Sequence, residues 1–318
     1  MPHLTPETIE RVLSANRDFY NSDHADKYDD IHPIHYGHYS QKIMRREIRY
    51  MAERIKVRPL QAIDIASGTG NFSMNLLHTV SQEEVSITAV DIAEKMLEKL
   101  SRKIYAAFPN TRLRIAASDV ETFISQNTIQ YDLVGFASAI HHFPDYRAVF
   151  EKCAELTAEN GFLYIHQEPL QKNYVSKTGT LLNLIDTRAY FCFNVFKKDG
   201  MPFYKRWLKL IKTLISLLIN RYSFTARIRN RLSRSPRFQW LYNDGVYSDE
   251  RMQYVEFHEE GIDKNMIIDI LLQKGYTIVQ CTNAPDKHYR FFYFLSRLFK
   301  APSHFSLIAR RNPLPKPE

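Results

Sequence analysis

The stretch AIDIASGTGNF, residues 62–72, decides how the rest of the chain is read. An apolar run delivers the carboxylate Asp64, and a loop of small residues follows at once. A short apolar run bounded by glycine reads as a buried strand. Gly68 and Gly70 then let backbone approach a ligand with no side chain between, and the turn opens a helix whose first N–H groups face outward. The same unit repeats further on. PLQAIDIA, VSITAV, RLRIAAS, YDLVGFAS and GFLYIHQE read as strands, with GNFSMNLLHTV, IAEKMLEKLSRKIYAAF and YRAVFEKCAELT as helices between them. Strands alternating with helices need crossovers, and crossovers build a parallel sheet covered by helices on both faces.

Outside this core the pattern changes. TPETIERVLSAN opens with Thr5 as N-cap and Pro6 at the first helical position, starting an N-terminal cap over residues 1–40. The alternating domain is expected over 41–169 and 259–312, where EGIDKNMIIDILLQKG reads as a helix and YTIVQCT and HFSLIAR as closing strands. Residues 170–258 interrupt it as a basic, aromatic helical insertion, and 313–318 form a polar, proline-rich tail expected to be disordered. The fold class is therefore α/β: a sheet built from parallel strands with helices on both faces, and a helical insertion.

Charge follows this division. Of the 43 Lys and Arg, ten lie in 200–243, where no acid stands; the other 33 are balanced by the 35 acids. The net +8 thus belongs to the insertion and not to the fold. The 3 cysteines are far apart and fit neither a disulfide framework nor a zinc cluster. The first residues lack an apolar signal core, so a cytoplasmic location is expected.

The loop alone would suit a dinucleotide as well as any other adenosyl ligand. Three features separate the readings. Ser73 stands where the dinucleotide fingerprint places its third glycine. Asp64 lies close before the loop, which suits an ammonium group better than a pyrophosphate. Asp91 ends the second strand, where a carboxylate can accept from both ribose hydroxyls, and Asp119 follows the third strand, placed for an adenine amino group or for capping the next helix. An ammonium, a ribose diol and an adenine without phosphate describe S-adenosylmethionine.

AIDIASGTGNF, ITAVDIAEKML, IAASDVETF, YDLVGFASAIHHFPD and AENGFLYIHQEP, in this order and spacing, resemble the class I S-adenosylmethionine-dependent methyltransferases, including small-molecule and quinone-type members. The resemblance covers about residues 15–168 and 260–310. It departs at Ala66, where the family commonly has glycine. It implies S-adenosylmethionine as cofactor, held by Asp64, Ala66, Gly68, Gly70, Asp91, Ile92, Asp119, Val120 and Ser138. It also implies a Rossmann-like, seven-stranded mixed sheet with helices on both faces and the last strand antiparallel, and an N-terminal lid, with Tyr20 and Tyr28 covering the cofactor.

Methyl transfer from a sulfonium needs alignment, exclusion of water and, for some acceptors, a base. His141 and His142, after the fourth strand, are the candidate catalytic bases. His166 and Glu168, ending the fifth strand, are candidates for binding substrate, with a solvated or capping role as an equal alternative. His32, His35 and His38 are spaced three apart, but Pro33 and Gly37 break the helix that would align them, so no metal site is assigned. The expected activity is methyl transfer to a small, hydrophobic or aromatic acceptor. The competing readings are an RNA methyltransferase using the basic insertion and a non-catalytic S-adenosylmethionine-binding protein. Residues 203–234 and 286–300 are both aromatic and basic. They fold as a solvated cap, contact a membrane surface or, less favoured because Leu and Ile accompany the rings, line a nucleic-acid groove.

Overall fold

A computed structural model describes residues 4–22, 25, 28, 29, 38–171, 174–190, 202–208, 211, 258, 261–284 and 290–313. The central strands are β1 (Leu60–Ile65), β2 (Val85–Asp91), β3 (Arg112–Ala117), β4 (Tyr131–Ala137), β5 (Thr157–Pro169), β6 (Tyr276–Ala284) and β7 (His304–Arg311). They form one seven-stranded sheet in the order β3-β2-β1-β4-β5-β7-β6. β1 pairs in parallel with β2 on one side and β4 on the other, so the winding direction reverses beside the loop 66–70. β7 is antiparallel to both of its neighbours, β5 and β6. The single reversed strand lies inside the terminal pair, as the resemblance implies.

The helices in chain order are α1 (Pro6–Tyr20), α2 (His38–Ala52), α3 (Asn71–Leu77), α4 (Glu94–Ala107), α5 (Val120–Gln126), α6 (Tyr146–Leu156), α7 (Lys177–Tyr190), α8 (Lys264–Gln273) and α9 (Arg290–Leu298). The two faces of the sheet bury different residues, as strand alternation requires. Ile63 and Ile65 of β1 pack with Phe150 and Ile267, from α6 and α8, while Leu60 and Ala62 pack with Met44, Phe72 and Leu97, from α2, α3 and α4. β3 is the exposed edge: Ile115 keeps half its surface in solvent. Thr5 caps α1 by accepting from Thr8 N, with Pro6 at the first turn, as the sequence indicates.

The connection between β6 and β7 is not a tight hairpin but carries α9, which packs against α7. Of the insertion, α7 and a helical segment at 203–208 are described. Most of the cation-rich stretch 209–257, His32 and His35 of the histidine cluster, and residues 314–318 of the tail lie outside the described residues.

Candidate cofactor and active site

The carboxyl ends of β1 to β4 surround a cavity of about 850 Å³, part of it open to solvent. Its floor is made by four consecutive strand exits. Ala66–Thr69 follow β1, Asp91 and Ile92 leave β2, Ser118–Val120 follow β3, and Ala137–Ala139 close β4. Leu13, Asn16 and Tyr20 of α1 come over it together with Tyr28, and His142 and Phe143 stand at its side.

The loop after β1 is held by two carboxylates with different positions. Asp91 accepts from Gly68 N through Oδ2 and from Ala93 N through Oδ1, both at 2.8 Å, so the end of β2 fixes the loop directly. Burial pushes its carboxyl up to about 6, against the pull of those backbone N–H groups. Asp64 is not on the wall. It is 1% exposed and its Oδ2 accepts from Ser73 N at 3.1 Å and from Ser73 Oγ at 2.6 Å. Burial raises it to about 7, with the Asp91 charge adding to the shift. Ser73 is therefore the anchor that ties the start of α3 to β1, and Asp64 shapes the loop from behind rather than presenting a carboxylate to the cavity.

The two glycines also divide their work. Gly68, at φ +52°, lines the cavity, and a Cβ placed there would meet no atom within 4 Å. Gly70, at φ +87°, is turned toward α4, where a Cβ would lie 2.8 Å from Leu100 Cγ. It serves helix packing, and it is not among the residues that line the cavity. Ala66 lines the cavity at φ +50°, a left-handed conformation that explains why glycine is common there in the family it resembles. Ser67 lies on the wall 6% exposed, and its hydroxyl has no hydrogen-bond partner among the described residues.

Ile92, Val120 and Ser138 reach the cavity as expected. Asp119 also lines it, while its Oδ1 accepts from Thr122 N at 2.9 Å and caps α5. The capping reading therefore holds, and the same residue borders the cavity. Tyr20 and Tyr28 lie edge-to-face, 5.9 Å between centroids, on the cavity wall. The segment that carries them is fastened down by Asp29, whose carboxylate accepts from Thr69 Oγ1 at 2.5 Å and pairs with Lys103 at 3.0 Å.

The histidines separate. His142 is on the wall, with Nε2 3.3 Å from the Tyr20 hydroxyl. His141 is not; its ring lies against His142, and its Nδ1 is 3.0 Å from Glu168 Oε2. Glu168 is fully buried, and its Oε1 accepts from Ala139 N at 2.5 Å and Ile140 N at 3.0 Å. Its burial alone would raise its pKa, but the His141 contact and the two N–H groups outweigh that and hold it below the usual carboxylate range. Glu168 is thus the cap of the turn that presents His142, and its assignment to substrate is withdrawn. His166 is corrected likewise. It is 1% exposed, with Nδ1 2.7 Å from the Tyr164 hydroxyl and Nε2 3.4 Å from Ser40 Oγ, beneath α2 and away from the cavity. Glu47 completes this buried group by accepting from Tyr164 and from Gln280.

Asn16, Asn71, Met96 and Phe143 are wall residues that the sequence reading did not single out. Leu13, Asn16 and Tyr20 follow helical spacing, so an amide on the same face of α1 as two large apolar residues is the signal the sequence offers. Among the described residues no group of three or more His, Cys, Asp or Glu could hold a metal ion.

Residues 63–163 match a family described as a methyltransferase domain. A ubiquinone biosynthesis O-methyltransferase from Bordetella avium is 27% identical over 104 residues, covering 33% of this chain and 41% of that protein. The protein of the same name from Xylella fastidiosa is 20% identical over 116 residues, covering 36% and 45%. The chain thus matches less than half the length of these curated relatives. Among solved structures, magnesium protoporphyrin IX methyltransferase from Synechocystis PCC 6803, with bound SAH, superposes at a TM-score of 0.52 with 14% identity, covering 95% of this chain and 100% of that one. A sarcosine dimethylglycine methyltransferase from Galdieria sulphuraria gives 0.51 with 12% identity, covering 92% and 99%. At these identities the shared property is the fold.

Proposed function

We propose that this chain, a class I S-adenosylmethionine-dependent methyltransferase by its domain and fold, moves a methyl group from S-adenosylmethionine to an oxygen of a small, hydrophobic acceptor. The observation that carries this reading is the convergence of a bare loop, the carboxylate Asp91 and the wall residues Asp119 and Val120 on one cavity at the point where the winding reverses. The residues present suit the cofactor. Gly68 leaves its side-chain space open, Ser67 brings a buried hydroxyl with no hydrogen-bond partner among the described residues, and Asp91 offers a carboxylate for a diol. Ile92, Met96, Val120 and Phe143 provide the apolar walls a flat ring requires.

S-adenosylmethionine supplies an already activated methyl group, so the protein's part is placement, dryness and proton removal. Tyr20, Tyr28 and Leu13 exclude water from above. His142 is the histidine on the wall, and its imidazole takes the proton of an acceptor hydroxyl. Tyr20, hydrogen-bonded to His142 Nε2, fixes the orientation of that ring. Both the oxygen and the hydrophobic character of the acceptor are favoured by the names of the curated relatives, ubiquinone biosynthesis O-methyltransferases.

Titration calorimetry with S-adenosylhomocysteine tests the cofactor site, and a turnover assay with phenolic acceptors tests the reaction. Asp91→Ala is expected to remove detectable binding. Retained micromolar affinity would place the cofactor elsewhere. Tight binding with no product across the acceptor panel would favour a non-catalytic binding protein, and product on RNA alone would favour the nucleic-acid reading.

A further inference from the structure

Helix α9 interrupts what is otherwise a strand-to-strand hairpin, and its position follows from topology. β6 runs parallel to β1–β5, because each of β5 and β6 is antiparallel to β7. The end of β6 and the start of β7 therefore both lie at the carboxyl edge of the sheet, the edge that holds the cavity. α9 turns one side inward, where Ser296 is 1% exposed and the helix packs against α7. The opposite side shows Phe294, Leu298 and, just past the helix end, Phe299, each more than half exposed. Arg297 and Lys300 stand exposed among them, and residues 290–300 contain no acid.

A second described segment has the same chemistry. In the helical stretch 203–208, Phe203, Tyr204, Trp207 and Leu208 are between 43% and 61% exposed, Lys205 is exposed beside them, and 202–211 again contains no acid. Large apolar side chains displayed together on a soluble surface mark an interaction site. Rings and aliphatic side chains flanked only by cations match the acyl region and the anionic head groups of a bilayer. Leu208, Ile211 and Leu298 give a nucleic-acid base nothing to stack on, which disfavours that partner. Among the described residues no helix is long and apolar enough to cross a membrane, so the contact is with the surface.

We propose that α9, and with it the chemically similar segment 203–208, docks on a membrane surface carrying anionic lipid. Docking through α9 brings the carboxyl edge of the sheet to the bilayer, where a lipophilic acceptor would be drawn. Docking itself does not depend on the methyl-transfer reading.

The test is co-sedimentation of the full chain with vesicles of phosphatidylcholine alone or mixed with phosphatidylglycerol. Wild type should bind the mixed vesicles and lose binding with added salt. The pair Phe294→Ser and Leu298→Ser should weaken partitioning by about tenfold or more. A second pair, Arg297→Gln and Lys300→Gln, should weaken binding to mixed vesicles while leaving any binding to neutral vesicles unchanged. Thermal melts and S-adenosylhomocysteine affinity, both expected unchanged, report separately on the fold and the cofactor site. Wild type remaining in the supernatant with both vesicle types would overturn the proposal. So would serine variants that bind like wild type, or salt-sensitive binding to RNA that exceeds binding to mixed vesicles.

Discussion

Replacing Glu168 by glutamine separates a positioning role from a merely space-filling one. The native carboxylate is fully buried and accepts from Ala139 N and Ile140 N while facing His141 Nδ1. Glutamine keeps a carbonyl oxygen for the two N–H groups but sets an amide nitrogen opposite His141. The loss is one hydrogen bond to a charged group, about 1.5–3 kcal/mol. Alanine would also orphan both N–H groups, at about 1–3 kcal/mol each, and should cost visibly more. The sign with pH follows from the direction of the shift. Glu168 is held below its ordinary value of 4.5, so its ionised form stabilises the fold above that value and the benefit is lost as pH falls through the folded pKa. Urea denaturation at pH 7 should therefore show the full glutamine deficit, and at acid pH the deficit should shrink. Turnover should fall more than cofactor affinity, because the turn that Glu168 caps carries His142 and not the glycine loop. A glutamine variant as stable as wild type at pH 7, or a deficit that does not change with pH, would refute the role assigned to the charge.

The other predictions test the remaining assignments. Asp64→Asn should be more stable relative to wild type at pH 8 than at pH 4, by about 4 kcal/mol for a rise of about 3 pKa units, since a raised folded pKa contributes stability below 3.8 that is lost as pH climbs through about 7. Denaturation curves across that range check it, and a flat difference would contradict it. His142→Gln should slow turnover by about 10²-fold or more with cofactor affinity little changed, and should remove the acid limb of the pH–rate profile; an unaltered profile would exclude His142 as base. Gly68→Ala and Gly70→Ala should have opposite signatures. The first costs about 1–2 kcal/mol of stability and blocks the cofactor, whereas the second costs more stability, through Leu100, with less effect on affinity; melting temperature and calorimetry on both variants decide this.

Much of the site was legible because strand ends are local features. An acid or glycine at the end of an apolar run tells which residues leave the sheet at its carboxyl edge. On that basis Gly68, Asp91, Ile92, Val120 and Ser138 are placed on the wall, and so is Asp119, which caps its helix as well. The positions whose alternatives only the structure separates lie one step further from the backbone. Glu168 follows a register shift between Ile165 and Glu168, with Gln167 at φ +56°, and that irregularity turns its carboxylate beneath the 139–141 turn. No periodicity in YIHQEP announces a bulge.

The sequence by itself determined the order of strands and helices and the carboxyl edge as the place of the site. These depend on apolar spacing and on the right-handedness of crossovers, both of which are written along the chain. Only the tertiary structure decided which of two adjacent histidines faces the cavity, that Asp64 and Gly70 serve the loop from behind, and that α9 presents an apolar face at the same edge. A side chain's direction at a strand end depends on the element packed across from it, and that partner is distant in sequence: Leu100 for Gly70, Ala139 and His141 for Glu168, α7 for α9.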